Sequence, residues 1–458
     1  MQYLGINYEQ KRIPTLDPNY IPFGVWMQAY LKDAKKPLAI AVERSGGHVT
    51  VRNTFIHGTP EMAEADYRYV ERIVKFLLWS VGGFKVYICG CSELAQKLQA
   101  AYRISGEREF DFTFVDQLFE KTLEIIDLPL EECPASNEQP EPMGGYMNGC
   151  RIGFDAGGSD RKVSAVIDGE CVYSEEVIWY PKLNEDPDYH YEHILEAFKT
   201  AASKMPRVDG IGVSSAGDYI DNEPRVASLF IKVPRENWDK VKTVYTRAAA
   251  AIGDVPLVVA NDGDVSALAG AMGLGKGKLM GLAMGTSEAV GYVDADQNVL
   301  GWINELAFAP VDLNPSAMQD EWSFDFGVGC KYFSQDAVIK LAPVAGIELD
   351  ASLSLAEKLK AVQKLMEADD PRAQAIFESI GVYFGYTVEL YSQFYDLDYI
   401  MLMGRVMSGK GGDTILRVTN EILAEEYPAL AEKCCVTLPD EKMRRVGQAV
   451  AAASLPVI

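Results

Sequence analysis

Four short segments hold residue types able to handle a phosphoryl group, and each lies just beyond an apolar run. The first is Gly153-Phe154-Asp155-Ala156-Gly157-Gly158-Ser159. Its glycines let backbone N–H groups come close to a phosphate. Asp155 alone would repel phosphate, and makes sense there with a Mg²⁺ ion between the two. An ordinary Gly-rich hairpin turn has the same composition. The second is Ala260-Asn261-Asp262-Gly263-Asp264, between an apolar strand pattern and a run of small residues. An Asp here can cap a helix, or accept a hydroxyl proton while phosphate is transferred. The third, Gly285-Thr286-Ser287, offers a glycine and two hydroxyls, which is also common turn chemistry. The fourth is Gly404, where a plain strand-to-helix turn is the competing reading.

Ligands of open α/β sheets bind beyond the strand C-termini, so the elements before these segments matter. Apolar alternation predicts a strand–turn–strand over 151–173 with Asp168-Gly169 at a hairpin turn. Helices are predicted over 189–204, 235–252 and 265–272, and over much of 352–394; buried strands are predicted at 210–214, 257–260, 278–284 and 399–403. This alternation predicts an α/β fold with mostly parallel pairing. Residues 132–149, rich in Pro, Gly and acid, read as a linker. The expected units are therefore 1–131, the linker, 150–265 and 266–458. The first unit shows a similar order, with strands at 38–43 and 49–55, a helix at 62–80 and a strand at 84–90. Ile40 to Gly47 echoes Ile152 to Gly158, which predicts that 36–130 is a diverged internal copy, with chance similarity as the alternative.

Composition narrows the function. Lys and Arg total 43 against 66 Asp and Glu, a net charge of −23. Such a chain is repelled by nucleic acid and anionic membranes, and its densest basic runs are only Lys35-Lys36 and Arg444-Arg445. A phosphorylated ligand must then be held by backbone N–H groups, a cation, or both. No apolar run approaches the ~20 residues that span a bilayer. The start of the chain lacks a secretory pattern. With eight scattered cysteines, a cytoplasmic protein with reduced thiols is expected. His190 and His193 read as solvated, the aromatic stretch 383–395 as core or interface, and Asp320, Glu321 and Asp325 as a solvated loop.

In order and rough spacing these segments, together with Asn304-Glu305-Leu306, resemble the ROK family of sugar kinases and sugar-responsive repressors. The resemblance covers about 150–458. It implies the actin-like ATPase (ribonuclease H-like) fold, with duplicated lobes and an interlobe cleft, preceded here by an N-terminal α/β unit. It implies ATP with its phosphates on Gly157, Gly158, Ser159, Lys162, Gly285, Thr286 and Ser287, and Gly404 near the adenosine. Mg²⁺ would sit near Asp155. Asn261, Asp264 and Glu305 would bind the sugar, and Asp262 would be the base. The implied activity is ATP- and Mg²⁺-dependent phosphorylation of a sugar or sugar-like hydroxyl compound. The alternative is a degenerate kinase-like sensor or scaffold that binds sugar or nucleotide. A small-molecule sugar is the expected partner, without nucleic acid or membrane, and a homodimer stays open. Four departures from the family pattern stand out. Phe308 replaces a histidine. The zinc cysteine cluster is reduced to Cys330, so no structural zinc is expected. Glu288 brings negative charge toward the expected phosphates, and Arg405 replaces a glycine.

Overall fold

Three open sheets of four or five strands carry the architecture of the computed structural model. It describes residues 1–138, 143–440 and 447–458. Residues 139–142 of the linker and Arg444-Arg445 lie outside the described residues.

The N-terminal unit opens with a small hairpin, β1 (Gln2–Tyr3) and β2 (Ile6–Asn7), and helix α1 (Phe23–Leu31). Then follow β3 (Lys36–Glu43), β4 (Val49–Ile56), α2 (Ala63–Ser80), β5 (Lys85–Cys89), α3 (Ser92–Ala101), α4 (Glu109–Phe119) and β6 (Glu124–Leu128), with sheet order β4-β3-β5-β6. In α2, Glu64 and Asp66 oppose the positive N-terminal end of the helix dipole, and Tyr69, Val70, Ile73, Val74 and Leu77 form a buried stripe at helical spacing.

The first lobe begins as an antiparallel meander, β7 (Cys150–Ala156), β8 (Asp160–Ile167) and β9 (Glu170–Ile178). Helix α5 (Pro187–Ala202) returns the chain to β10 (Gly210–Ser215), parallel to β7. A side hairpin, β11 (Asp218–Ile220) and β12 (Glu223–Val226), precedes α6 (Trp238–Lys242), α7 (Val244–Ala250) and β13 (Leu257–Asn261), which pairs parallel with β10. The single helix expected over 235–252 is thus broken at Thr243.

Strand directions contradict the internal copy. Three meander strands precede the crossover in the first lobe, so β10 arrives parallel to β7. Only two precede α2, so the chain leaves from the other end of the sheet and β5 arrives antiparallel to β3. The shared residue pattern reflects the same element types, not the same path.

The second lobe contains α8 (Asp262–Leu274), β14 (Leu279–Met284), β15 (Glu288–Val293), α9 (Gln335–Val344), α10 (Leu355–Glu367) and α11 (Pro371–Ser392). It ends with β16 (Tyr399–Met403), α12 (Lys410–Glu426), α13 (Pro428–Lys433) and β17 (Cys435–Thr437), with sheet order β15-β14-β16-β17. The last helix, α14 (Gln448–Ala453), lies on β7 and β10 of the first sheet and against α8. It therefore joins the two lobes, whereas the 266–458 boundary placed it with the second alone. Gly153 and Gly212 lie beneath it. A Cβ on either would fall 1.7 Å from a carbonyl oxygen of α14, Ala449 O or Ala452 O respectively. Only glycine lets the helix backbone rest directly on these strands.

One apolar core runs through the N-terminal unit and the second lobe, while the first lobe keeps its own. Tyr383, Phe384, Tyr386 and Tyr391 of α11 are buried in the shared core. Two sequence expectations are corrected. Asp320 and Asp325 are each 3% exposed and so do not form a solvated loop. Asp325 pairs with Arg72 at 2.8 Å, Arg108 at 2.8 Å and Lys75 at 3.2 Å, cations supplied from the distant N-terminal unit. His190 is fully buried, its ring nitrogens within 3.2 Å of the carbonyls of Asp186, Pro181 and Leu229. The segment after β9 folds over the start of α5 and covers it.

Candidate functional site

Parallel register brings the first site residues together. Ser214 of β10 pairs with Asp155 on one side and with Ala260 on the other. Asp155 therefore stands level with the end of β13, and Asp262 follows two residues after Ala260. Ser214 Oγ donates to Asp155 Oδ1 at 3.1 Å. Gln448 Nε2, at the start of α14, donates to Ser214 Oγ and to Asp262 O, both at 2.9 Å. Burial pushes the Asp155 carboxyl up to about 6, opposed by Ser214 and by Lys162, its neighbour across the hairpin.

The helix cap falls to Asn261 and not to Asp262. Asn261 Oδ1 accepts from Gly263 N at 2.7 Å, while Nδ2 donates to Gly217 O at 2.8 Å. Each of these atoms keeps one further hydrogen-bonding capacity. Asp262 thus occupies the first turn of α8 without serving as its cap. Burial raises its affinity for protons, opposed by the amides of the helix start and by the Lys182 charge. Asp264, 4% exposed, accepts from Tyr292 N at 3.1 Å and Asn304 Nδ2 at 2.9 Å, and burial pushes it up to about 7. Glu305 also rises to about 7, through burial and the charges of Asp262 and Asp264.

Two hairpin turns carry further residues expected at the site. In the β7–β8 turn, Trp179 Nε1 donates to Gly157 O at 2.7 Å and Trp179 N to Ser159 O at 3.1 Å, which fixes the loop. Lys162 forms an ion pair with Asp160 at 3.3 Å. Lys182 reaches over the same turn: a Cβ on Gly158 would lie 3.2 Å from its Nζ. In the β14–β15 turn, Gly285 O accepts from Gln335 N at 2.9 Å, and Thr286 and Ser287 are exposed at the tip. Glu288 does not turn toward this tip. It is 3% exposed, its Oε1 accepts from Tyr391 OH at 3.0 Å, and burial pushes it up to about 8. The alternation of a strand sends its side chain into the lobe interior.

Gly404 has φ +94°, and a Cβ there would lie 2.4 Å from Met284 O. It lets β16 end tightly against β14 and lines a cavity of about 630 Å³ with Ser266, Ala269, Met407 and Gln448. A second cavity, about 710 Å³, is lined by Asp218, Asn261, Asp264 and Trp302, with Arg44 and His48 from the N-terminal unit. Asn261 and Asp264, on either side of Asp262, line the second cavity, and Ser266, one turn further along α8, lines the first. The sequence reading missed Ser214, Lys182, Gln448, Asp218 and Trp302. Ser214 carried a signal, a polar residue ending a buried strand beside Ala260; the others carried none.

The departures have local causes. Phe308 packs against Trp79 and Phe110, with ring centroids at 4.5 and 5.3 Å, and so helps to dock the N-terminal unit. Cys330 Sγ donates to Asp320 Oδ1 at 3.4 Å. Arg405 O accepts from Gln363 Nε2 at 2.7 Å. Among the described residues, no group of three or more His, Cys, Asp or Glu gathers to hold a metal. No described helix is long and apolar enough to cross a membrane.

No protein-family model matches the chain, and no curated protein matches its sequence. Solved structures do. A ROK hexokinase from Thermus thermophilus superposes with a TM-score of 0.51 at 19% identity, covering 66% of this chain and 97% of that one. A ROK-family glucokinase from Streptomyces griseus in complex with glucose and AMPPNP gives 0.46 at 18%, covering 67% and 98%. A ROK-family transcriptional regulator, a homologue of the E. coli Mlc protein, gives 0.48 at 15%, covering 79% and 87%. Over 66% of its length the chain has the fold of the ROK hexokinase.

Proposed function

We propose that this protein phosphorylates a hydroxyl group of a sugar or sugar-like compound, with ATP and Mg²⁺. The observation that carries the reading is the position of Asp262. It lies in the first turn of α8, relieved of capping by Asn261; Gln448, which donates to its backbone carbonyl, lines one cavity with Gly404, and Asn261 and Asp264 line the other. Burial raises its proton affinity toward the working range of a general base. It would take the proton of the attacking hydroxyl, while Asn261, Asp264 and Glu305 orient the neighbouring hydroxyls.

The turns at Gly157-Gly158-Ser159 and Gly285-Thr286-Ser287 offer N–H groups and hydroxyls to phosphate oxygens. Lys182 and Lys162 add positive charge from the first-lobe side. Gly404 and its cavity would receive the nucleoside. Asp155, held by Ser214, is one carboxylate acceptor, which fits a Mg²⁺ ion that takes its other ligands from phosphate and water. Bound there, Mg²⁺ would neutralise charge developing on the transferred phosphoryl group.

The sensor or scaffold alternative drew its support from the altered second phosphate loop, Gly285 to Gly291 with Glu288 and few glycines, and from Arg405. Glu288 is buried toward Tyr391, so it does not set a charge against phosphate. The test is sugar-dependent ADP release from Mg-ATP across a panel of hexoses and amino sugars. Turnover is expected with the intact chain, and Lys182→Ala is expected to lower kcat/KM by about 10-fold or more. Thermal stabilisation by a sugar with no ADP release from any panel member would favour the sensor.

A further inference from the structure

The cavity beyond Asn261 carries a charge pattern that a neutral hexose does not answer. Asp218, the first residue of β11, is 7% exposed, lines the cavity and accepts no hydrogen bond from the described residues. Asp264 lines the same wall, and the charges of Asp264 and Glu305 both reach Asp218. Arg44 is the one Lys or Arg among the described lining residues, and its guanidinium is already committed to Glu138, at 3.0 and 2.8 Å. Two more buried polar atoms on the wall, Trp302 Nε1 and His48 Nδ1, have no hydrogen-bond partner among the described residues.

Burial, with the charges of Glu305 and Asp264, pushes the Asp218 carboxyl up toward its neutral form, and a ligand that brings positive charge favours the carboxylate instead. A divalent metal fits poorly, because among the described residues no three ligating side chains gather closely enough to hold it. An organic ammonium has looser demands. It donates up to three hydrogen bonds at ordinary distances to carboxylates and is attracted to an indole face such as that of Trp302.

We propose that this cavity selects a polyhydroxylated compound bearing a free, protonated amino group, an amino sugar in preference to its neutral or acetylated counterpart. This deepens the kinase reading and rests on it for the sugar-like frame. Asn261 and Asp264 would hold hydroxyls, and Asp218 would receive the ammonium.

Titration calorimetry of the full chain without nucleotide tests the idea. D-Glucosamine, D-glucose and N-acetyl-D-glucosamine share a ring and differ at one substituent; the mannose and galactose series extend the set. At near-neutral pH, at least one amine should bind about 10-fold or more tightly than both its hydroxyl and N-acetyl partners, the effect of one charge-assisted contact. Asp218→Asn should bring that ratio near one. Because Asp218 has no hydrogen-bond partner to lose, the variant should keep or raise Tm, which shows that it folds. The proposal is overturned if no amine outbinds its neutral partners, or if the preference survives Asp218→Asn. ADP release is read separately. No turnover with the amine preference intact would sink the kinase reading and leave the charge selection standing.

Discussion

At the residue scale, the candidate site is a set of carboxylates set apart by what surrounds each one. Asp155 is tied to Ser214, Asp262 is tempered by helix amides and Lys182, and Glu288 is shut into the lobe interior beside Tyr391. The last makes a pH prediction. Burial pushes the folded-state value of Glu288 up to about 8, from an ordinary glutamate value of 4.5. The folded state therefore holds the proton over a range in which the unfolded chain has released it. Stability from this group is fully present below pH 4.5 and is lost as pH rises toward 8. Glu288→Gln should raise Tm by a few degrees at pH 8 relative to the native chain, with the gain shrinking toward pH 5, as read by calorimetry. The places of Asp155 near a strand end and of Asp262 at a helix start were legible in the sequence, because apolar runs precede both. Glu288 was read with the wrong orientation, since a turn motif does not say which way the first strand residue points. Lys182 and Asp218 were not legible, because what makes them matter lies far away in the chain.

At the element scale, α14 decides whether the site is assembled. Its first residue, Gln448, links Ser214 to the backbone of Asp262, and its body lies on Gly153 and Gly212. Gly212→Ala would force a Cβ against Ala452 O, so a loss of about 1–3 kcal/mol is expected in urea unfolding. Gln448→Ala should cost little stability, about 1 kcal/mol, yet lower kcat, because it loosens Asp262 relative to Asp155. A kcat unchanged in Gln448→Ala would remove the positioning role. In the two lobes β7 to β10, β13, β14 and β16 and helices α5 to α8, α10 and α11 were legible from periodicity, while β11, β12, β15 and β17 were not. The seat of α14 was not, because a six-residue alanine-rich helix has no apolar stripe and its partner glycines look like turn residues.

At the scale of the whole molecule, the N-terminal unit touches both lobes. Its α1 packs on α11, its aromatic rings meet Phe308, and Glu120 pairs with Arg225 of β12 at 2.6 Å. It thereby forms a wall of the cavity at Asp218. Its main anchor to the second lobe is Asp325 with Arg72, Lys75 and Arg108. Burial alone would raise the Asp325 value, but these three cations hold it well below the ordinary carboxylate range. The stability it gives is present above about pH 4 and is lost only in stronger acid. Asp325→Ala would leave buried cations without their partner and should cost about 3–5 kcal/mol in denaturant unfolding. The fold was legible from five spaced segments. The docking of the N-terminal unit was not, because its charges and aromatics pair across more than two hundred residues. The most direct test of the central claim is sugar-dependent ADP release from Mg-ATP by the intact chain and by Asp262→Asn. Turnover by the intact chain with a loss of about 100-fold or more in kcat, at unchanged Tm and sugar affinity, is the predicted result. Full activity in Asp262→Asn, or no sugar-dependent release by the intact chain, would contradict it.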